Sequence, residues 1–230
     1  MTNKEIITNL KDSLIVSCQA YPDEPLNSSF IMARMAYAAM LGGAKGIRAN
    51  TSQDIEEIKK LVALPIIGSV KHEYEGCLVS ITPTLDEVDE LVDSGTEIIA
   101  ADATERLRPN GETLETFYRK IREKYPNLLL MADCATYSEG MKAASLGFDL
   151  VSTALCGYTE ESKDSLRPDY HFIKELADNC GKPVIAEGGI WSRDELLLAK
   201  KCGIHAAVVG SAITRPMLVT QRFAAIMPGL

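Results

Sequence analysis

An apolar run followed by a helix-like segment recurs eight times along the 230 residues. No other feature of the sequence restricts the fold as much. SLIVSC (13–18) precedes SSFIMARMAYAAML (28–41), AKGIRA (44–49) precedes SQDIEEIKKLV (52–62), and LPIIGSV (64–70) precedes TLDEVDELVDS (84–94). TEIIAAD (96–102) precedes ETLETFYRKIREKY (112–125), and NLLLMAD (127–133) precedes YSEGMKAASLG (137–147). FDLVST (148–153), KPVIAEG (182–188) and IHAAVVG (204–210) are followed by DYHFIKELADNCG (169–181), SRDELLLAKKCG (192–203) and RPMLVTQRFAAI (215–226). Runs apolar throughout suit strands covered on both faces, as in a parallel sheet, and eight parallel βα units close into a barrel. The reading is therefore a (β/α)8 TIM barrel, one domain spanning residues 1–230. A doubly wound open sheet is the alternative, but GxGxxG is absent after the first strand. Gly42, Gly95, Gly147, Gly181 and Gly203 stand at or near helix ends, where left-handed residues stop helices.

The remaining composition narrows the function. A formal net charge of -8 argues against a nucleic-acid backbone binder, which needs a basic patch. No run approaches the roughly 20 apolar residues of a membrane span, and MTNKEIITNLKD is too polar for a secretory signal. The expectation is a soluble, cytoplasmic protein with a small-molecule partner, no nucleic acid and no membrane. Six scattered cysteines, none in a CxxC pattern, signal neither zinc nor a disulfide framework and read as buried thiols.

In such a barrel the residues just after each strand converge on one mouth. These are Gln19, Arg48, Lys71, Asp102, Asp133, Gly157, Glu187 and Ser211. Two turns add a second signal. IAEGGI (185–190) and VVGSAITRP (208–216) follow strands seven and eight, where this fold frequently builds a phosphate site from backbone N–H groups. Gly188, Gly189, Gly210 and Ser211 are the phosphate-binding candidates, with Arg215 adding a charge-assisted contact. The polar stretch CGYTEESKDSLRPD (156–169) is either a lid or a solvated connection.

The blocks LIVSCQAYPDEPLNSSFIMARMA (14–36), GGAKGIRAN (42–50), LPIIGSVKHEYEG (64–76), ADAT (101–104), MADCAT (131–136), LCGYT (155–159), IAEG (185–188) and GSAITRP (210–216) resemble, in the same order, those of the N-acetylmannosamine-6-phosphate 2-epimerases. The resemblance implies an isomerase that interconverts N-acetylmannosamine 6-phosphate and N-acetylglucosamine 6-phosphate, in sialic acid and amino sugar catabolism. It places the family's catalytic lysine on Lys71 and the paired carboxylate on Glu187. The substrate-binding residues fall on Gln19, Arg48 and Asp133, and the phosphate arginine on Arg215. Two positions depart from the pattern: His72 stands where the family often has arginine, and Gly189 where a larger polar residue is common. The resemblance also suggests a homodimer served by the final helix, LVTQRFAAIM (218–227).

Epimerisation at C2 removes a hydrogen next to a carbonyl and returns one to the opposite face. Lys71 and Glu187 follow strands three and seven, opposite each other around eight strands, and so can flank that carbon. Arg48, Gln19 or a protonated Lys71 can stabilise the enolate, while Asp133 either orients the lysine or binds a hydroxyl. This chemistry needs no cofactor and no metal, and His72, His171 and His205 read as structural or solvated. A Schiff-base aldolase using Lys71 as nucleophile, another phosphosugar isomerase on the same barrel, and a non-catalytic phosphosugar sensor are the alternatives.

Overall fold

The structure, a computed structural model, describes residues 1–227. Eight parallel strands close into a barrel in sequence order: β1 Ser13–Cys18, β2 Gly46–Asn50, β3 Ile66–Ser69, β4 Ile98–Asp102, β5 Leu129–Asp133, β6 Leu150–Ser152, β7 Val184–Glu187 and β8 Ala206–Val209. Closure comes from β1 pairing with both β2 and β8, for example Ile15 opposite Gly46 on one side and Val208 on the other. All eight expected strands form, and the barrel leaves no open sheet edge.

Among the described residues ten α-helices accompany them: α1 Asn3–Leu10, α2 Ser29–Leu41, α3 Ser52–Lys59, α4 Leu85–Asp93, α5 Leu114–Lys124, α6 Tyr137–Leu146, α7 Tyr170–Asn179, α8 Arg193–Lys201, α9 Ser211–Thr214 and α10 Pro216–Ala224. Capping boxes in the sequence set several of their starts. Thr84 with Glu87, Thr136 with Glu139 and Ser192 with Glu195 each satisfy two otherwise orphaned first-turn donors. Gly95, Gly147, Gly181 and Gly203 are left-handed as expected, but Gly42 is right-handed and Gly43 takes the positive φ at the end of α2. The segment expected as one helix over 215–226 is preceded by the separate turn α9, and Pro216 starts α10 afresh.

Alternation along each strand divides the core in two. Ile15, Ile67, Ile98, Met131, Leu150, Ile185 and Val208 point inward and fill the barrel. Val16, Ile47, Ile66, Ile99, Leu130 and Val151 point outward onto helix residues such as Val88, Leu91, Phe117, Ile121 and Leu176. Each fully buried aliphatic side chain contributes roughly 1.5–3 kcal/mol relative to exposure. The N-terminal helix α1 was not among the expected elements. Its Ile6 and Leu10 pack beneath the interior cluster and plug the N-terminal end of the barrel, while His205 Nε2 lies 2.8 Å from the Ile7 carbonyl and ties β8 to α1. Sealing that end leaves the C-terminal mouth for chemistry.

Candidate functional site at the barrel mouth

The inward parity that fills the barrel with Ile67 and Ile185 also turns polar groups into its upper end. Ile47 and Ala49 pack outward, so Arg48 between them enters the interior, where it is 2% exposed. Asp133, the last residue of β5, is fully buried, and Glu187 ends β7 with its side chain 17% exposed. Arg48 donates to both oxygens of Asp133, Nη1 to Oδ1 at 3.2 Å and Nη2 to Oδ2 at 2.5 Å. The same Nη1 also donates to Glu187. One guanidinium thus serves two carboxyls from three different walls of the barrel.

The electrostatics follow from that ratio. Burial would lower the basicity of Arg48, but Asp133 and Glu187 outweigh it, so the guanidinium is held charged. Burial raises both carboxyls above the ordinary range; Arg48 opposes the rise, and their mutual repulsion adds to it for Glu187. Two carboxylates cannot both be fully neutralised by one cation. Both carboxyls are therefore held above their ordinary values, the direction that suits a group exchanging protons in catalysis.

Lys71 stands on the opposite side, two residues beyond β3. A short hairpin fixes its backbone: Lys71 bridges to Ile81, His72 N donates to Ser80 O at 2.9 Å and Thr82 N to Val70 O at 2.7 Å. Asn50, at the end of β2, accepts from Lys71 N at 3.0 Å. Its ammonium is close enough to Asp133 and Glu187 for its charge to stabilise both in their ionised forms. His72 points elsewhere, with Nδ1 3.1 Å from Glu87 and its ring stacked on Tyr74. His171 is exposed on α7 beside Glu175.

The glycine turns lie next to Glu187. Gly188 and Gly189 both have positive φ, at 104° and 76°. A side chain at position 189 would come within 2.4 Å of the Arg167 carbonyl carbon, which explains a glycine there. The loop over 156–169 meets the mouth where the Arg167 backbone packs on Gly189, and it is braced internally by Arg167 over the Tyr158 ring at 4.5 Å and by Gly157 N donating to Ser162 Oγ at 2.9 Å. Thr153, after β6, grips the Glu187 backbone from both sides: it donates to Glu187 O at 2.9 Å and accepts from Glu187 N at 3.0 Å.

Across the mouth, Gly210 comes so close to β1 that a Cβ there would lie 3.1 Å from that of Ser17. The short helix α9 begins at Ser211, and Thr214 anchors it by donating to Ser17 O at 2.7 Å. Arg215 follows and donates through Nε to Glu24 at 2.8 Å. Gln19 and Arg215 line a cavity of about 210 Å³ between the β1 loop and the start of α10, with Ala20, Pro25, Leu26 and Met217 forming much of its wall. The structure therefore gathers Arg48, Asp133, Glu187 and Lys71 around the barrel axis, and sets Gln19 and Arg215 in the adjoining wall.

Comparison with known proteins identifies the family. The family described as "Putative N-acetylmannosamine-6-phosphate epimerase" matches residues 32–228. The chain belongs to this family. A relative from Caldanaerobacter subterraneus subsp. tengcongensis, described as a "Putative N-acetylmannosamine-6-phosphate 2-epimerase", is 52% identical over 219 residues, covering 95% of this chain and 92% of its own. One of the same description from Enterobacter sp. (strain 638) is 50% identical and covers 96% and 95%. The N-acetylmannosamine-6-phosphate 2-epimerase from Clostridium perfringens, whose structure is solved, superposes with a TM-score of 0.92 at 50% identity, covering 96% of each chain. Thiamine phosphate pyrophosphorylase from Pyrococcus furiosus, at 18% identity and a TM-score of 0.63, covers 91% of this chain and 89% of its own and shares the fold alone.

Asp102 and Arg106 were not assigned roles from the sequence, yet they form a second ion pair at the mouth at 2.6 Å, beside Asp133 in register. Cys18 and Cys134 are buried, and burial raises their thiols, Cys18 to about 12. Both are poor nucleophiles at neutral pH.

Proposed function

We propose that this chain is a carbohydrate epimerase that interconverts N-acetylmannosamine 6-phosphate and N-acetylglucosamine 6-phosphate. The observation that carries the reading is the opposed placement of Lys71 and the Arg48–Asp133–Glu187 network across one barrel mouth. The hydrogen at C2 is acidic only beside a carbonyl, so the sugar reacts ring-opened. One wall removes the C2 hydrogen and the other returns one to the opposite face. Glu187, raised by burial, is suited to both directions of transfer. Lys71 serves the other face, and the fixed charge of Arg48 stabilises the enolate without reorganising. Asp133 holds that guanidinium in place through its two hydrogen bonds.

Gln19 binds the sugar, and the phosphate sits on the backbone of Gly188, Gly189, Gly210 and Ser211 with Arg215 as counter-charge. Glycine at 189 lets the loop carrying Arg167 close against this turn. The reaction as drawn calls on these side chains alone. Among the described residues no helix is long and apolar enough to cross a membrane, and we place the reaction in the cytoplasm, within amino sugar breakdown.

Phe223, Ile226 and Met227 are exposed at the end of α10 and just after it, apolar surface that supports a homodimer contact. A strictly monomeric mass across concentrations in light scattering would reject the dimer. Proton NMR of N-acetylmannosamine 6-phosphate with the protein in deuterated water tests the activity itself. The expected result is appearance of the N-acetylglucosamine epimer with deuterium at C2; no epimer and no exchange overturns the reading.

A further inference from the structure

Tyr21, in the loop after β1, is touched by two cations of the candidate site. Lys71 Nζ donates to its hydroxyl at 3.2 Å and lies 4.5 Å from its ring centroid. The Arg215 guanidinium carbon is 5.1 Å from the same centroid. Neither contact is accidental to a floppy loop. Glu24 accepts from the Tyr21 backbone N–H at 3.0 Å and from Arg215 Nε at 2.8 Å, and Glu24 N closes the turn onto Tyr21 O at 2.9 Å. The turn is thereby clasped to the β8 side of the mouth while the tyrosine side chain meets the β3 side.

Lysine carries its charge on a flexible four-carbon stem, so fixing the backbone of Lys71 does not fix its nitrogen. An aromatic face attracts an ammonium, and the phenol oxygen accepts one of its three donors. From this we infer that Tyr21 is a positioning residue: its ring is the platform that sets where the Lys71 ammonium stands relative to Arg215, and so relative to a substrate held by its phosphate. Tyr21 acts on proton transfer through Lys71. The ring carries most of the effect and the hydroxyl the smaller part. The inference rests on Lys71 taking part in the epimerisation proposed above.

The test compares Tyr21→Phe, which keeps the ring, with Tyr21→Leu, which removes both contacts. In Tyr21→Leu kcat should fall about tenfold with KM for the 6-phosphate within about twofold, and Tyr21→Phe should recover all but about threefold of the loss. Unchanged kcat in Tyr21→Leu, a change confined to KM, or a Phe variant as slow as the Leu variant overturns the platform. A second readout does not depend on turnover. In protein labelled with 13C-lysine, the Lys71 Cε–H resonance, assigned by its loss in Lys71→Arg, should be shifted upfield by the ring in wild type and Tyr21→Phe. An unshifted wild-type resonance refutes the contact. If wild type neither epimerises nor exchanges at C2, the functional reading falls, while the resonance still decides whether Tyr21 holds the lysine.

Discussion

Arg48 on β2 holds both carboxylate oxygens of Asp133 on β5, three strands away around the barrel, and both residues are sealed from solvent. A bidentate pair of this kind fixes geometry as well as charge. Because Glu187 draws on the same guanidinium, removing Arg48 strands two acids at once. Arg48→Met should cost about 3–5 kcal/mol of stability at neutral pH, the range found when one partner of a buried ion pair is deleted. The loss should shrink toward pH 4 as the stranded carboxyls take up protons. Arg48→Lys should not rescue activity, since an ammonium cannot bridge both oxygens in the plane of the fork. Thermal melts from pH 4 to 8 read the first effect and turnover the second.

Glu187→Gln should move stability the other way. The Glu187 carboxyl is raised in the folded state by burial, so its contribution favours the fold below the ordinary carboxylate range and is lost as pH rises through the raised value. Glutamine is the same size and does not titrate, and it leaves Arg48 paired with Asp133. The variant should melt close to wild type near pH 4 and above it at pH 8. A wild type that gains on the variant as pH rises would mean that Arg48 outweighs burial at this carboxyl.

The two ends of the barrel should respond separately to mutation. Leu10 is fully buried beneath the interior cluster, and Gly46 leaves room for it: a Cβ at 46 would lie 2.8 Å from Leu10 Cδ2. Leu10→Ala should destabilise by about 2–5 kcal/mol through the cavity it opens. KM should not change, because the mouth lies at the other end. Urea unfolding beside steady-state kinetics separates these outcomes.

Arg215→Ala should raise KM for the 6-phosphate more than it lowers kcat, by about tenfold for loss of one charge-assisted contact. In the structure the same side chain is held by Glu24, so phosphate must share or replace that carboxylate. An unchanged KM would remove Arg215 from the phosphate site.

The recurrence of apolar runs made the barrel legible, because only strands buried on both faces produce them at such regular spacing. Strand ends at the mouth were legible for the same reason: a polar residue terminating an apolar run, as Lys71, Asp133 and Glu187 do, has few other places to go. Arg48 shows the limit. Its position on β2 followed from the pattern, but its grip on Asp133 and Glu187 arises only when β2, β5 and β7 close around one axis. Tyr21 and Thr153 are not legible in the sequence because their roles are contacts rather than patterns, and α1 is not because just Ile6 and Leu10 of its eight residues are buried. Thr2 and Glu5, a capping box at its start, were the available signal. Gly189 reads as a departure from the family in the sequence and as a necessity in space, since the backbone of Arg167 fills the volume a side chain would need.

The opposition of β3 and β7 makes the proton path testable. If Lys71 serves one face of C2 and Glu187 the other, Lys71→Ala and Glu187→Gln should each abolish epimerisation, while a variant keeping one working base should still exchange the C2 proton of one epimer. A single shuttling base predicts otherwise: losing its partner leaves substantial epimerisation, and some deuterium from C2-labelled substrate returns intact in the product. Following C2-deuterated substrate in ordinary water through wild type and both variants distinguishes the two. Solvent hydrogen throughout the wild-type product fits either two groups or one that exchanges rapidly, so the variants decide. Near-wild-type turnover by either one ends the two-wall assignment. One-sided exchange by each, on opposite epimers, would assign a face to each residue.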